Sequence, residues 1–203
     1  MIASPFRSAR ERSAEREQKR EAILLAAVRM FNSRGFHATS LDDVAASLGV
    51  SKPTIYHYLG NKDQVLLECL TRGLVQLQQE AEKARAGSGT GLERLKQFLR
   101  RYAEINMTDF GRCVIRTDDS ALSPESAERF RALKRQIDTH IRNLVEAGVA
   151  DGSIRSADTR LTAFVLAGAL NWPAQWYREQ GRQTAAEFAA QMVDMLVDGI
   201  APR

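Results

Sequence analysis

Residues 39–63 read Thr-Ser-Leu-Asp-Asp-Val-Ala-Ala-Ser-Leu-Gly-Val-Ser-Lys-Pro-Thr-Ile-Tyr-His-Tyr-Leu-Gly-Asn-Lys-Asp, a helix, a sharp turn and a second helix. Thr39 or Ser40 can cap the first helix, with Asp42 or Asp43 in its acidic first turn. Val44, Ala45 and Leu48 make an apolar stripe at helical spacing. Gly49 falls where a tight turn needs a residue that tolerates positive φ. Ser51 is a second N-cap, and Pro53 sits in a first turn, where its missing N–H costs little. Ile55 and Tyr58 then face back onto the first helix. This leaves Lys52, Thr54, Tyr56 and His57 outward, a face with donors and one cation but no carboxylate. Such a face suits phosphates and base edges in the DNA major groove. Helical hairpins with a glycine turn also occur in α-proteins that bind no DNA. Here the small Ala45, Gly49 and Ile55 each meet a separate packing need of the tight motif.

Charge is distributed as a polyanion partner would require. Residues 1–62 hold ten Lys/Arg against six Asp/Glu, whereas the rest of the chain holds nineteen of each. The whole excess of +4 therefore lies in the first third. Glu11, Glu15, Glu17 and Glu21 dilute the N-terminal run, so residues 1–17 are expected to form a flexible basic arm of which only some arginines reach phosphate. The helix-turn-helix domain should follow at 18–62 and a larger domain at 63–203.

Other classes find little support. The longest near-continuous apolar run, 163–172, is too short to cross a bilayer. Residues 1–20 are charged and lack the apolar stretch of a secretory signal. Cys69 and Cys113 have no metal-ligand spacing and fit reduced thiols in a cytoplasmic, nucleoid-associated protein. His37, His57 and His140 have no such spacing either. Gly87-Ser88-Gly89-Thr90-Gly91 has no flanking strand, so it fits neither a nucleophile elbow nor a phosphate loop. No catalytic residue, metal or cofactor is expected, and no membrane partner.

Beyond residue 60 the pattern is a succession of amphipathic helices with no alternating strand pattern. One starts at Asn61-Lys62-Asp63, and the next carries Leu95, Phe98, Leu99, Tyr102 and Ile105. Ser123-Pro124-Glu125 opens another, which should stop at Gly148. Asp158 caps the penultimate helix, and Thr184-Ala185-Ala186-Glu187 is a capping box for the last. Nine helices and no sheet are expected.

Residues 19–63 resemble the N-terminal domain of the TetR family of bacterial transcriptional regulators. The resemblance rests on Met30-Phe31-Asn32-Ser33-Arg34-Gly35-Phe36, Ala38-Thr39-Ser40-Leu41-Asp42-Asp43-Val44-Ala45, Val50 to Tyr58, and Gly60-Asn61-Lys62-Asp63. Pro53 and Leu59 depart from it, since the family more often has a small residue and Phe there. The resemblance implies an all-α, nine-helix fold with a ligand-binding and dimerisation domain after the reader. The expected DNA contacts are Thr39, Ser40, Ser51, Lys52, Pro53, Thr54, Tyr56, His57 and Lys62. Asn171-Trp172, Trp176-Tyr177 and Gly181 are more weakly similar to family members that respond to acyl-CoA, with Pro173 a departure that should interrupt the helix.

The last two helices are apolar over more than one face, which points to a homodimer. Leu161, Val165, Gly168, Ala169, Trp176, Phe188, Met192, Val193 and Leu196 are the expected interface. A two-fold dimer fits double-stranded DNA with a palindromic operator. An effector chamber is expected among Leu66, Leu70, Leu99, Tyr102, Arg112, Ile137, His140, Ile141, Phe164 and Trp172. It would take a small hydrophobic or acyl-CoA-like molecule. Trp172 and Trp176 also fit a purely structural role. Two alternatives stay open: a dimer of this fold controlled by a protein partner, and an all-α enzyme or lipid carrier with an incidental helix-turn-helix.

Overall fold

The computed structural model describes residues 9–198. Among these the chain forms ten α-helices and one short 3-10 turn, with no strand. They are α1 (Ala9–Arg34), α2 (Leu41–Leu48), α3 (Lys52–Leu59), α4 (Lys62–Ala86), α5 (Gly91–Asn106), α6 (Asp109–Arg116), α7 (Pro124–Ala150), α8 (Thr159–Asn171), α9 (Pro173–Trp176) and α10 (Ala185–Asp198). Helices α8 and α9 are one helix interrupted at Pro173, and Trp172 between them keeps helical angles. Proline supplies no N–H for the Ala169 carbonyl. Counted that way, the nine expected helices are present.

The chain divides into two compact units after Leu66. The boundary thus lies inside α4, not at its start. Val65 and Leu66 are fully buried, and packing rather than helix limits defines a unit. In the first unit, α1 buries Ile23, Leu24, Ala27, Val28 and Phe31 on one face. Its upstream part runs back to Ala9, so residues 9–17 of the expected basic arm are helix. Ala, Arg, Glu, Gln and Lys are all strong helix formers, and Lys19 pairs with Glu15 at 2.8 Å one turn away. Residues 1–8 of the expected arm lie outside the described residues.

Helix α2 begins with a complete capping box. Asp43 N–H donates to Ser40 Oγ at 3.0 Å, and the Ser40 backbone N–H donates to Asp43 Oδ2 at 2.9 Å. Gly49 ends the helix at φ +65°, a left-handed conformation that lets Val50 N–H reach the Ala45 carbonyl at 3.1 Å. Arg20 Nε donates to the Tyr58 carbonyl and ties α1 to the end of α3.

In the second unit α5 is the central element, packed against α6, α7, α8 and α10. It buries Leu95, Phe98, Leu99, Tyr102, Ala103, Ile105 and Asn106. Its N-terminus abuts the end of α7. Asp151 Oδ2 accepts from Gly91 N–H at 2.6 Å, and Ser153 Oγ accepts from Leu92 N–H at 3.0 Å. Hydrogen bonds from Ser153 and Gly91 hold the Asp151 carboxyl below its ordinary pKa. Gly148 does not stop α7, which continues to Ala150. A Cβ on Gly148 would collide with the Ile154 side chain, and a Cβ on Gly91 would collide with the backbone N and Cα of Gly148.

Gly91→Ala should therefore destabilise the protein. Alanine gains roughly 0.5–1 kcal/mol of helix propensity over glycine. Overpacking against a backbone that cannot rotate away costs roughly 1–3 kcal/mol, so the net loss is up to about 2.5 kcal/mol. Urea unfolding should show a lower midpoint; a raised midpoint would contradict the close approach of α5 and α7.

Candidate functional site

The first unit presents a groove whose lining includes His37, Ser40, Asp42, Lys52, Tyr56 and Lys62, drawn from the α1–α2 turn, α2, α3 and α4. Helix α3 is oriented by Ile55 and Leu59, both buried. Their burial turns Lys52, Pro53, Tyr56 and His57 to solvent. The eight residues of α3 include no carboxylate. Lys52 Nζ lies 5.9 Å from the centre of the Tyr56 ring and donates to Asp42 Oδ2 at 2.9 Å. Lys62 Nζ sits 4.2 Å over the Phe36 ring and 3.5 Å from the His37 carbonyl. Partial burial lowers the Lys62 pKa. Its ammonium is fixed at the groove by a ring and a carbonyl.

Two of the expected DNA contacts are placed differently. Thr39 is buried, its hydroxyl donates to the Gly35 carbonyl at 2.9 Å, and its N–H donates to the Phe36 carbonyl. It fastens the α1–α2 turn, its hydroxyl and N–H both directed to backbone carbonyls. Thr54 is half-buried and shares a 2.9 Å hydrogen bond with Ser51 Oγ. Ser51 stands at the N-cap of α3, but its side chain makes no capping bond. Ser40, Ser51, Lys52, Pro53, Tyr56 and His57 are exposed, and Lys62 is half-buried at the groove.

The expected effector residues separate into two groups. Leu66 is buried in the first unit, and Leu70, Leu99, Tyr102, Ile137 and Ile141 are buried in the second. Phe164 and Trp172 are 51% and 65% exposed, so they belong to the outer surface of α8 and not to an interior chamber. Helical spacing alone could not separate the inner from the outer face of a helix apolar on both. His140 lies in a shallow groove lined by α7 alone. Arg112 donates to the Tyr177 carbonyl at 2.8 Å, and Arg116 donates to the Gln175 carbonyl at 2.6 Å. Both guanidinium groups therefore cap the end of α9.

The interior does hold a polar group, of which Asn106 is the member that sequence reasoning passed over. Asn171 Oδ1 accepts from the Tyr102 hydroxyl at 2.7 Å and from Asn106 Nδ2 at 3.0 Å. Asn106 is fully buried, and its Oδ1 has no hydrogen-bond partner among the described residues. Burial pushes the Tyr102 pKa up to about 12, so the hydroxyl remains a donor. A signal is present in the sequence: Tyr102 and Asn106 are four apart on the apolar face of α5.

The expected dimer residues also divide. Leu161, Val165, Gly168 and Trp176 are exposed, and Ala169, Phe188, Met192 and Leu196 are half-buried. Val193 is completely buried within the protomer, since α10 turns that edge to its own core. Exposed Met195 joins the outer apolar set. A Cβ on Gly168 would meet no atom within 4 Å.

Residues 23–69 match the family model described as bacterial regulatory proteins, tetR family, and residues 88–200 match the tetracyclin repressor-like, C-terminal domain. The HTH-type transcriptional repressor KstR2 of Rhodococcus jostii is 29% identical over 191 residues, 90% of this chain and 91% of that protein. The crystal structure of PfmR, a TetR family transcriptional regulator from Thermus thermophilus, superposes with a TM-score of 0.79 at 29% identity. It covers 87% of this chain and 97% of that one. AibR, crystallised with isovaleryl coenzyme A and operator DNA, shares the fold at a TM-score of 0.77 and 24% identity, over 88% of this chain and 97% of its own.

Proposed function

Because the chain belongs to the TetR family of bacterial transcriptional regulators, we propose that it is a homodimeric repressor of a palindromic operator, released by a hydrophobic or acyl-CoA-like effector. The observation that carries this reading is α3: Ile55 and Leu59 buried, Lys52, Tyr56 and His57 exposed, and no carboxylate along the helix. A helix with these donors and this shape suits base edges and phosphates.

Pairing of protomers is supported by the outer apolar set of Leu161, Phe164, Val165, Trp172, Trp176 and Met195. Leu161, Val165, Gly168 and Trp172 recur at helical spacing on α8, and the bare backbone at Gly168 admits a close neighbour. Two readers related by a two-fold axis fit half-sites separated by one helical turn, ~34–36 Å. For the effector, the buried Tyr102–Asn106–Asn171 group offers polar contacts amid apolar walls, as a thioester or acid head on a hydrophobic tail would require. AibR is a protein of similar fold crystallised with both a CoA thioester and operator DNA. The position of Phe164 and Trp172 on the outer surface favours a second reading, a dimer of this kind without a small-molecule effector.

Tyr56→Ala should weaken operator binding at least tenfold, the effect of losing roughly 1.4 kcal/mol or more of contact, with an unchanged melting temperature. Full retention of affinity would remove α3 as the reader.

Val165→Glu should give a monomer on sizing, because the carboxylate would be desolvated without a partner in the paired state. A folded dimer of this variant would move the interface elsewhere.

Calorimetry with isovaleryl-CoA, a long-chain acyl-CoA and the free acids should show binding by at least one. That ligand should lower operator affinity, and Tyr102→Phe should blunt this response more than it weakens operator binding. Silence from every compound would favour the effector-free reading.

A further inference from the structure

The reader contains one ion pair that its fold does not require. Asp43 closes the capping box with Ser40, so the first turn of α2 has its carboxylate without Asp42. Asp42 instead accepts from Lys52 Nζ at 2.9 Å, joining α2 to α3. Both side chains are more than half exposed, and an exposed pair of this kind adds little stability. Both also line the groove with Ser40, His37, Tyr56 and Lys62. Lys52 is the one lysine or arginine of α3. Its charge is therefore the reader helix's own, and Asp42 cancels it.

We infer that the Asp42–Lys52 pair is a specificity-determining device of the DNA interface, an inference that rests on the operator-binding reading. Closed on itself, the pair carries no net charge. On DNA of arbitrary sequence Lys52 then neutralises no phosphate, and the Asp42 carboxylate disfavours approach to the backbone. A base that offers an exocyclic amine in the major groove, N4 of cytosine or N6 of adenine, can donate to Asp42 in place of the ammonium. Lys52 is then released to a phosphate. A matching site gains both contacts, and a mismatched site gains neither. Asp42 thus acts partly by reading a base and partly by positioning Lys52. The Lys52 pKa lies above its ordinary value because of the hydrogen bond and charge of Asp42, as a formed pair requires.

The test is fluorescence anisotropy over a range of salt, on a short random-sequence duplex and on an operator selected by the wild-type protein from a random pool. Asp42→Asn should bind the random duplex roughly fivefold more tightly at about 0.15 M salt, with the slope of log K against log salt steeper by about 0.9 for each lysine released. The ratio of operator to random affinity should fall. In a Lys52→Gln background the same change should leave the slope unaltered, an outcome that a purely structural role for Asp42 would not produce. An unchanged slope and ratio in folded Asp42→Asn would overturn the inference. Should that variant fail to fold, Lys52→Gln alone decides: its slope must fall on the operator and not on the random duplex, and an equal fall on both overturns the inference. A wild-type protein that binds neither duplex would overturn the operator-binding reading and this inference with it.

Discussion

Two eight-residue helices joined by a glycine turn are too short to persist in water by themselves. The reader therefore depends on burial against α1, whose Leu24, Ala27 and Val28 are completely covered. Helices α1, α2 and α3 all pack on one another. Leu41, Val44, Ala45, Ile55 and Leu59 are the buried residues of the two short helices. This packing determines chemistry as well as stability. Once Ile55 and Leu59 face inward, helical geometry leaves Lys52, Tyr56 and His57 no direction but outward. A polar residue at position 55 would loosen the rotation of α3 and, with it, the placing of every exposed donor.

The second unit solves a different problem. Its central helix α5 is covered by helices α6 to α10, and it places Tyr102 and Asn106 in that core. Polar groups so buried need partners, and one oxygen of Asn171 serves both. Asn171 is the last residue of α8, directly before the interruption at Pro173. After the interruption the short α9 ends at Trp176, where the Gln175 and Tyr177 carbonyls accept from Arg116 and Arg112 of α6.

How far the sequence can be read depends on whether a feature is local. Gly49, the Ser40–Asp43 cap, Ser123-Pro124, Asp158 and the Thr184–Glu187 cap act within one or two turns, and each does in the structure what its spacing predicts. Gly148 reads as a helix stop because glycine is common there. In the structure the helix continues past it, and a Cβ there would collide with the Ile154 side chain, a contact made by the turn after the helix and not by a pattern within it. Thr39 next to Ser40 poses a similar ambiguity. Both suit a cap, and only the tertiary fold shows that Ser40 takes that role while Thr39 turns in to the Gly35 carbonyl. For α8 and α10, apolar residues on all sides predict burial but not which side meets the protomer's own core. Val193 faces inward, and Phe164 and Trp172 outward.

The outward faces bear on DNA recognition without touching DNA. An eight-residue reader reaches only a few base edges, and each good contact discriminates by roughly 1–3 kcal/mol. Such a margin is small against the salt-dependent attraction that any basic surface feels for phosphate. Pairing two protomers makes the second reading event intramolecular, so discrimination at one half-site multiplies that at the other. In the proposed dimer, the apolar surface of α8 is then what gives a short helix enough sequence to read. In the proposed regulator the same coupling would give an effector its leverage. A ligand can shift the operator equilibrium only by its difference in affinity between competent and incompetent dimers, and a dimer that needs both readers in register at once loses affinity at both half-sites when that register changes.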